Sequence, residues 1–176
     1  NNIEIIVSGG ATLQPNLSRT FWAAGIRVFE GYGTTETSPV IAVTTNEPGG
    51  VKIGTVGPVI RGVDVKIADD GEILCKGPNV MKGYYRHPEK TKEVIDENGW
   101  FHTGDVGYLD DGKYLKITDR KKEMFKTSGG KYIAPQVIEN NLKESPFIEN
   151  ALVVGDGQRF TSALIVPNFY HLRSWC

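Results

Sequence analysis

Two stretches of the chain carry residues whose types and spacing suit one chemistry. The first runs from Trp100 to Lys126. Within it, Thr103-Gly104-Asp105 reads as a tight corner that holds one carboxylate in a fixed place. Val106-Gly107-Tyr108-Leu109 and Tyr114-Leu115-Lys116-Ile117 alternate like two strands joined at Asp111-Gly112. The ribbon runs out into Asp119-Arg120-Lys121-Lys122. One acid and one guanidinium at neighbouring ends of a rigid ribbon, with lysines beyond, suit a sugar diol and a phosphate, the parts of a nucleotide. The second stretch is Gly31-Tyr32-Gly33-Thr34-Thr35-Glu36-Thr37. Gly31 and Gly33 let backbone approach a flat ring, and Tyr32 offers a stacking face. Thr34 and Thr35 supply hydroxyls for phosphate oxygens, and Glu36 is a hard oxygen ligand suited to Mg²⁺. The competing reading of this loop is an ordinary strand-to-loop turn with a surface glutamate, and that of Arg120-Lys121-Lys122 is a solvated face.

The elements that must position these residues follow from periodicity. Ile3–Val7 is a β-branched run that ends at Ser8-Gly9-Gly10-Ala11. Leu13, Leu17, Phe21 and Ala24 then recur at helical spacing with Pro15 in the first turn, and Gly25 closes the helix. Ile26-Arg27-Val28-Phe29 starts a second strand, so residues 1–50 predict a strand–helix–strand edge of an α/β domain. Both glycine-rich loops follow strands, at the carboxyl edge where open parallel sheets bind ligands. Residues 51–118 change character. Short strands around Asp70-Gly71 and a short polar helix near Pro88–Ile95 predict a small antiparallel, β-barrel-like unit. Apolar periodicity lapses at Thr118–Lys122, and a linker or hinge is placed at 119–122. Residues 123–176 predict part of a mobile α+β domain: a hairpin around Ser128-Gly129-Gly130, a helix opened by Pro135 and stopped by Pro146, and two further strands.

Bulk properties narrow the function. The net charge is −1 with 23% charged residues, so no field exists to hold nucleic acid by neutralising its backbone. Two cysteines, Cys75 and Cys176, read as idle thiols in a reducing, cytoplasmic setting rather than a disulfide. No apolar run reaches the ~18 residues of a membrane-spanning helix. The chain opens on Asn1-Asn2-Ile3 and enters a strand at once, which is expected of a segment of something longer. The common nucleotide signatures fail: Glu36 stands where G-x-G-x-x-G needs a glycine, and Ser128-Gly129-Gly130-Lys131 lacks the flanking residues of a P-loop.

Four motifs, in order, resemble those of the AMP-forming adenylate ligases, the superfamily of acyl-CoA synthetases, luciferases and peptide-synthetase adenylation domains. These are Gly31-Tyr32-Gly33-Thr34-Thr35-Glu36; Gly71-Glu72-Ile73-Leu74 with Gly77 and Gly83-Tyr84-Tyr85; Trp100-Phe101-His102-Thr103-Gly104-Asp105; and Asp119-Arg120-Lys121-Lys122 with Phe125-Lys126 and Gly129-Gly130. Phe125 to Pro135 is most similar to long-chain fatty acyl-CoA synthetases. The resemblance implies an enzyme that activates a fatty acid with ATP and Mg²⁺ and passes the acyl group to coenzyme A. It implies that Gly10 and Ala11 line adenine and that Tyr32, beside Gly33, stacks on it. Thr35 would meet the α-phosphate, Glu36 hold Mg²⁺, Asp105 grip both ribose hydroxyls and Arg120 contact ribose or phosphate. Asp119, Lys121 and Lys122 would form the hinge, with Lys126 and Gly130 on the cofactor side, the latter near the pantetheine arm of CoA. Thr35, Glu36 and Arg120 would be the catalytic set.

The family's phosphate loop and adenylation lysine are expected before residue 1 and after residue 176, so the isolated chain is expected to adenylate very slowly or not at all. His102 reads as a packing or loop residue, and Tyr84-Tyr85 as barrel core. Fatty acid and CoA are the expected substrates, with weak peripheral membrane contact and dimerisation through apolar edges. Two alternatives stand beside this: an adenylation domain loading a carrier protein, and a non-catalytic nucleotide-binding module. Tyr32, Glu36, Asp105 and Arg120 together argue against the last, because nothing structural demands all four.

Overall fold

The computed structural model describes residue 3 and residues 5–175. Cys176 and Glu4 of the first strand lie outside them. The chain forms two compact units, one up to Ile117 and one from Thr118 onward.

The first unit opens with β1 (Ile5–Gly9), α1 (Pro15–Ala23) and β2 (Arg27–Tyr32). β1 and β2 are parallel, with Gly9 opposite Gly31, and β3 (Ala42–Val43) pairs antiparallel with the end of β2. Pro15 occupies the first turn of α1, where its missing N–H costs nothing. The helix is fixed to β2 by an edge-on Trp22–Phe29 pair and by Trp22 Nε1 donating to the Val28 carbonyl. β2 runs three residues past Phe29, where the sequence predicts a loop. The reason is β3, which supplies ladder partners to Gly31 and Tyr32.

The middle of the chain forms a four-stranded sheet in the order β4 (Asp64–Ile67), β5 (Glu72–Lys76), β6 (Phe101–Asp110) and β7 (Tyr114–Arg120), with α2 (Pro88–Val94) between β5 and β6. The β6–β7 turn has Asp111 and Gly112 both at positive φ, the conformation that makes Asp-Gly a two-residue hairpin. Strand β6 is longer than its alternation predicts. It begins at Phe101, so Thr103-Gly104-Asp105 lies inside the strand as an irregularity instead of a corner before it. Ile41, Ala42, Val63, Ile73, Cys75, Phe101 and Leu115 form one buried core, with Tyr32 packed against it. The α/β edge and the sheet therefore share a core, which fixes the carboxyl end of β2 against the sheet.

The second unit contains β8 (Phe125–Lys126), β9 (Tyr132–Ile133), α3 (Pro135–Leu142), β10 (Ile148–Val154), β11 (Ser162–Pro167) and α4 (Phe169–Trp175). β8–β9 and β10–β11 are separate antiparallel pairs. Strand β7 continues through Arg120, so residues 118–120 of the expected linker are extended and Asp119 is almost fully buried. Leu152, Val154, Leu164, Ile165 and Val166 on β10 and β11 are exposed, as are Ile5 and Val7 on β1. Among the described residues no helix is long and apolar enough to cross a membrane.

Gly107 shows how tightly β6 and β7 are joined. A Cβ there would stand 2.3 Å from the Lys116 carbonyl oxygen and 2.9 Å from Ile73 Cδ1. Gly107→Ala is expected to destabilise the protein by about 1–3 kcal/mol through overpacking, read as a lower urea midpoint with an unchanged m-value.

Candidate functional site

The carboxyl ends of β1 and β2 lie side by side, and a Cβ on Gly9 would come within 3.3 Å of the Gly31 carbonyl. Gly10, at φ +78°, turns the chain out of β1, and no atom lies within 4 Å of where its Cβ would stand. Gly10 and the exposed Ala11 thus sit at the same sheet edge as Tyr32. Gly33 has a reason of its own to be glycine. A Cβ there would fall 1.9 Å from the Pro39 carbonyl oxygen, so the loop closes on itself over that position. Thr34 N–H donates to Thr37 Oγ1, and Thr35–Thr37 form one short 3-10 turn with Thr37 fully buried. This leaves Thr35 exposed and Glu36 partly so.

Tyr32 Oη donates to Asp105 Oδ2 at 2.8 Å, joining residues from the two stretches that the sequence singled out. Asp105 is only 7% exposed. Burial, with the Asp105 charge beside it, pushes the Tyr32 phenol far above its ordinary range, so it stays a neutral donor. Asp105 is aimed by the irregularity in β6. Thr103 Oγ1 donates to the Ile73 carbonyl at 2.8 Å and accepts the Asp105 N–H at 3.1 Å. Glu72, 5% exposed, accepts Gly104 N–H through Oε1 at 3.0 Å and lies 3.1 Å from His102 Nδ1 through Oε2.

Glu36 is held from the segment after β5. Tyr84 Oη donates to Glu36 Oε1 at 2.9 Å, and Met81 N–H donates to the Glu36 carbonyl at 2.7 Å. Tyr84 is itself fixed by its N–H on Thr91 Oγ1 at 2.9 Å. Gly83, at φ +141°, makes room for that threonine, whose methyl would lie 2.8 Å from a Cβ. Burial raises the Glu36 pKa, but its own backbone N–H and the Tyr84 hydroxyl outweigh it and hold the carboxyl below its ordinary value. Tyr84 is shifted up by burial and by the same hydrogen bond. The expectation that Tyr84-Tyr85 is barrel core is corrected: Tyr84 serves Glu36, and Tyr85 is 82% exposed. No group of three or more His, Cys, Asp or Glu able to hold a metal exists among the described residues. Glu36 as a single carboxylate fits an ion such as Mg²⁺ that takes one or two protein carboxylates and its other ligands from phosphates and water.

The first unit therefore carries Gly10, Ala11, Tyr32, Gly33, Thr35 and Glu36 at the carboxyl ends of β1 and β2, and joins Asp105, from the irregularity within β6, to Tyr32. The second unit carries the remaining candidates. Asp119 accepts N–H groups from Arg120 at 2.7 Å and Gln136 at 3.1 Å, so its carboxylate caps the first turn of α3. Burial raises its pKa against those two bonds. Arg120, Lys121 and Lys122 are exposed. Lys126 Nζ lies 5.1 Å from the Tyr132 ring centroid, and Gly130 turns at φ +83°. The Lys126 carbonyl accepts Gly157 N–H, and Ser128 N–H donates to the Gln158 carbonyl.

Three site residues carry no role in the sequence reading. Glu72 and Tyr84 stand inside quoted motifs, but their partners are 32 and 48 residues away. Glu30, two residues before Tyr32, is 8% exposed on β2. Burial raises its carboxyl to about 7. An acid directly after the apolar pair Val28-Phe29 is the sequence signal that could have found it.

The chain matches the family described as AMP-binding enzyme over residues 1–85, and the AMP-binding enzyme C-terminal domain over residues 123–173. It is 43% identical over 174 residues to the long-chain-fatty-acid–CoA ligase FadD15 of Mycobacterium bovis, covering 99% of this chain and 28% of that protein. It is 38% identical over 186 residues to the human long-chain-fatty-acid–CoA ligase 6, covering 98% of this chain and 26% of that one. The chain thus spans little more than a quarter of the curated relatives it matches. Among solved structures it is similar to the O-succinylbenzoate coenzyme A synthetase (MenE) of Bacillus subtilis in complex with ATP and a magnesium ion. The TM-score is 0.80 at 32% identity, covering 94% of this chain and 37% of that one. The same enzyme with its acyl-adenylate intermediate gives a TM-score of 0.81 at 30% identity, covering 98% and 39%.

The Glu30 shift carries a pH dependence. Its carboxyl titrates at about 7 in the fold against an ordinary 4.5. The stability gained by keeping it protonated is therefore complete below pH 4.5 and lost as pH rises through 7, about 3 kcal/mol in all. Glu30→Gln keeps the shape and cannot ionise, so the difference in unfolding free energy between variant and wild type should grow in the variant's favour from pH 4.5 to 7.5.

Proposed function

Because the chain belongs to the AMP-binding enzyme family, we propose that it forms the adenylate-binding wall of an ATP-dependent acid–CoA ligase acting on long-chain fatty acids. The single observation that carries the reading is the Tyr32–Asp105 hydrogen bond, which joins a flat aromatic to a buried carboxylate at one sheet edge. A ring and a fixed acceptor in that relation suit adenine and ribose. Gly10 and Ala11 line the purine beside the Tyr32 ring, with Gly33 keeping the loop closed behind it. A carboxylate offers about four acceptor directions, so Asp105 receives both ribose hydroxyls in addition to the Tyr32 phenol.

In the first half-reaction a fatty-acid carboxylate oxygen attacks the α-phosphorus of ATP. The bond to the β-phosphate bridging oxygen breaks, and pyrophosphate leaves with that electron pair. The exposed Thr35 hydroxyl donates to the α-phosphate as charge builds on its oxygens. Glu36 is the residue that would hold Mg²⁺, whose charge offsets that of the phosphates; Tyr84 keeps the carboxylate ionised and oriented. In the second half-reaction the CoA thiolate attacks the acyl carbon, the C–O bond to AMP breaks, and AMP leaves with the electron pair. In the second unit, Arg120 is assigned to the ribose or phosphate, Lys126 and Gly130 to the CoA side, and Asp119, Lys121 and Lys122 to a hinge between the half-reactions.

Pyrophosphate release by the full-length enzyme, with ATP, Mg²⁺ and an even-numbered fatty-acid series, tests the reading with and without CoA. Acid-dependent release that rises with CoA is expected. Asp105→Ala should weaken AMP by about 10- to 100-fold, the worth of hydrogen bonds to a charged acceptor. Release indifferent to CoA would transfer the assignment to a carrier-loading domain, and no release with any acid would overturn it. Tyr84→Phe should weaken Mn²⁺ binding to the nucleotide complex about tenfold, as losing a partner that orients a metal ligand does. Electron paramagnetic resonance reads that change without turnover.

A further inference from the structure

The machinery around Asp105 includes a group to which no role has been given. Pairing between β5 and β6 sets Glu72 opposite Val106 and Leu74 opposite His102. The paired positions are two residues apart on β5 and four apart on β6, so β6 carries two more residues than its partner between these points. An insertion of this kind bends a strand, re-aims the side chain beside it and takes backbone groups out of the ladder. The residue it re-aims is Asp105. Gly104, at φ +72°, is the point of the bend, and a backbone N–H taken from a ladder inside a protein needs another acceptor.

We infer that Glu72 is a positioning residue for nucleotide binding: its buried carboxylate replaces the missing ladder acceptor for Gly104 N–H and thereby sets the direction of Asp105. Three observations support this together. Oε1 of Glu72 accepts Gly104 N–H at 3.0 Å, which anchors the bend from the side of β5. The next residue on β5, Ile73, accepts Thr103 Oγ1 at 2.8 Å, so Thr103 and Gly104 are tied to consecutive positions of one strand. The second carboxylate oxygen lies 3.1 Å from His102 Nδ1, which fixes the rotation of the carboxylate from the far side of the bend. A glutamate 5% exposed is costly to bury without such partners. His102, read from sequence as a packing or loop residue, has a defined task here: it orients the brace.

The inference rests on the assignment of Asp105 to the ribose hydroxyls, and the test separates the two. Full-length Glu72→Ala, Glu72→Gln, Glu72→Asp, Asp105→Ala and the Glu72→Ala/Asp105→Ala double variant are titrated calorimetrically with AMP and with 2′,3′-dideoxy-AMP. Thermal midpoints are recorded alongside. Glu72→Ala should weaken AMP about tenfold, the scale of one hydrogen bond to a charged group, and leave the dideoxy nucleotide within about twofold. In the double variant AMP should bind as it does to Asp105→Ala alone, since the two residues act through one contact. Glu72→Gln keeps an oxygen for Gly104 N–H and should retain most of the affinity. Glu72→Asp is too short to reach and should lose the selectivity for AMP, and this contrast stands if the alanine variant does not fold. Equal weakening of both nucleotides, added loss on the Asp105→Ala background, or wild-type AMP binding by both Glu72→Ala and Glu72→Asp would overturn the inference. Wild-type AMP binding by Asp105→Ala would overturn the ribose assignment and this inference with it.

Discussion

One hydrogen bond, from the Tyr32 phenol to the Asp105 carboxylate, is the contact on which the rest of the first unit converges. Its partners are 73 residues apart and belong to different layers, one to the end of a parallel strand and the other to the antiparallel sheet. Neither would be where it is without its neighbours. Tyr32 is extended because β3 supplies its ladder partners, and its ring packs on the core of Ile41, Ile73 and Leu115. Asp105 is turned toward it by the irregularity in β6. A carboxylate this buried needs donors, and a phenol held far above its ordinary pKa can only donate. The contact therefore locks two layers and prepares an acceptor in the same place.

Much of this was legible in the sequence, because the strongest signals were local. Alternation gave the β6–β7 hairpin, and Asp111-Gly112 gave its turn. Helical spacing with Pro15 in the first turn gave α1 to within a residue or two. What was not legible depends on partners far along the chain. The run of β2 into Gly31 and Tyr32 required β3, which pairs with it from within the β-branched stretch Val40-Ile41-Ala42-Val43-Thr44-Thr45. Thr103-Gly104-Asp105 looked like a corner because glycine and aspartate favour turns. The structure keeps it inside a strand because Glu72 and Ile73 on β5 satisfy the backbone and hydroxyl that the bend displaces. Gly33 was read as an opening for a ligand, and the closeness of Pro39 gives it a packing reason that no spacing rule could supply.

The second unit shows the same contrast at the expected hinge. Apolar periodicity lapses near Thr118, where the sequence reading expects a linker, yet the chain there is extended. Strand β7 carries on through Arg120, and Asp119 within it is almost fully buried. Its carboxylate spends both oxygens on backbone N–H groups, one beside it and one in the first turn of α3. An acid placed there acts as a fixed post, with the exposed residues 121–123 following it.

Residues that look alike within a motif thus have unlike tasks. Glu36 and Glu72 are both acids in glycine-containing motifs, yet one is partly exposed with a phenol on one oxygen, and the other is buried with both oxygens committed. The first can take a ligand; the second can only hold a backbone in place. Tyr84 and Tyr85 divide the same way, one hydroxyl on Glu36 and one ring in solvent. Each pair divides by the number of polar partners the fold provides and by burial, and both are set by segments remote in sequence. In the proposed site, residues offered to a ligand and residues that brace them thus come from the same short motifs. The braces decide whether the contacts are in place before a ligand arrives, which lowers the ordering cost of binding.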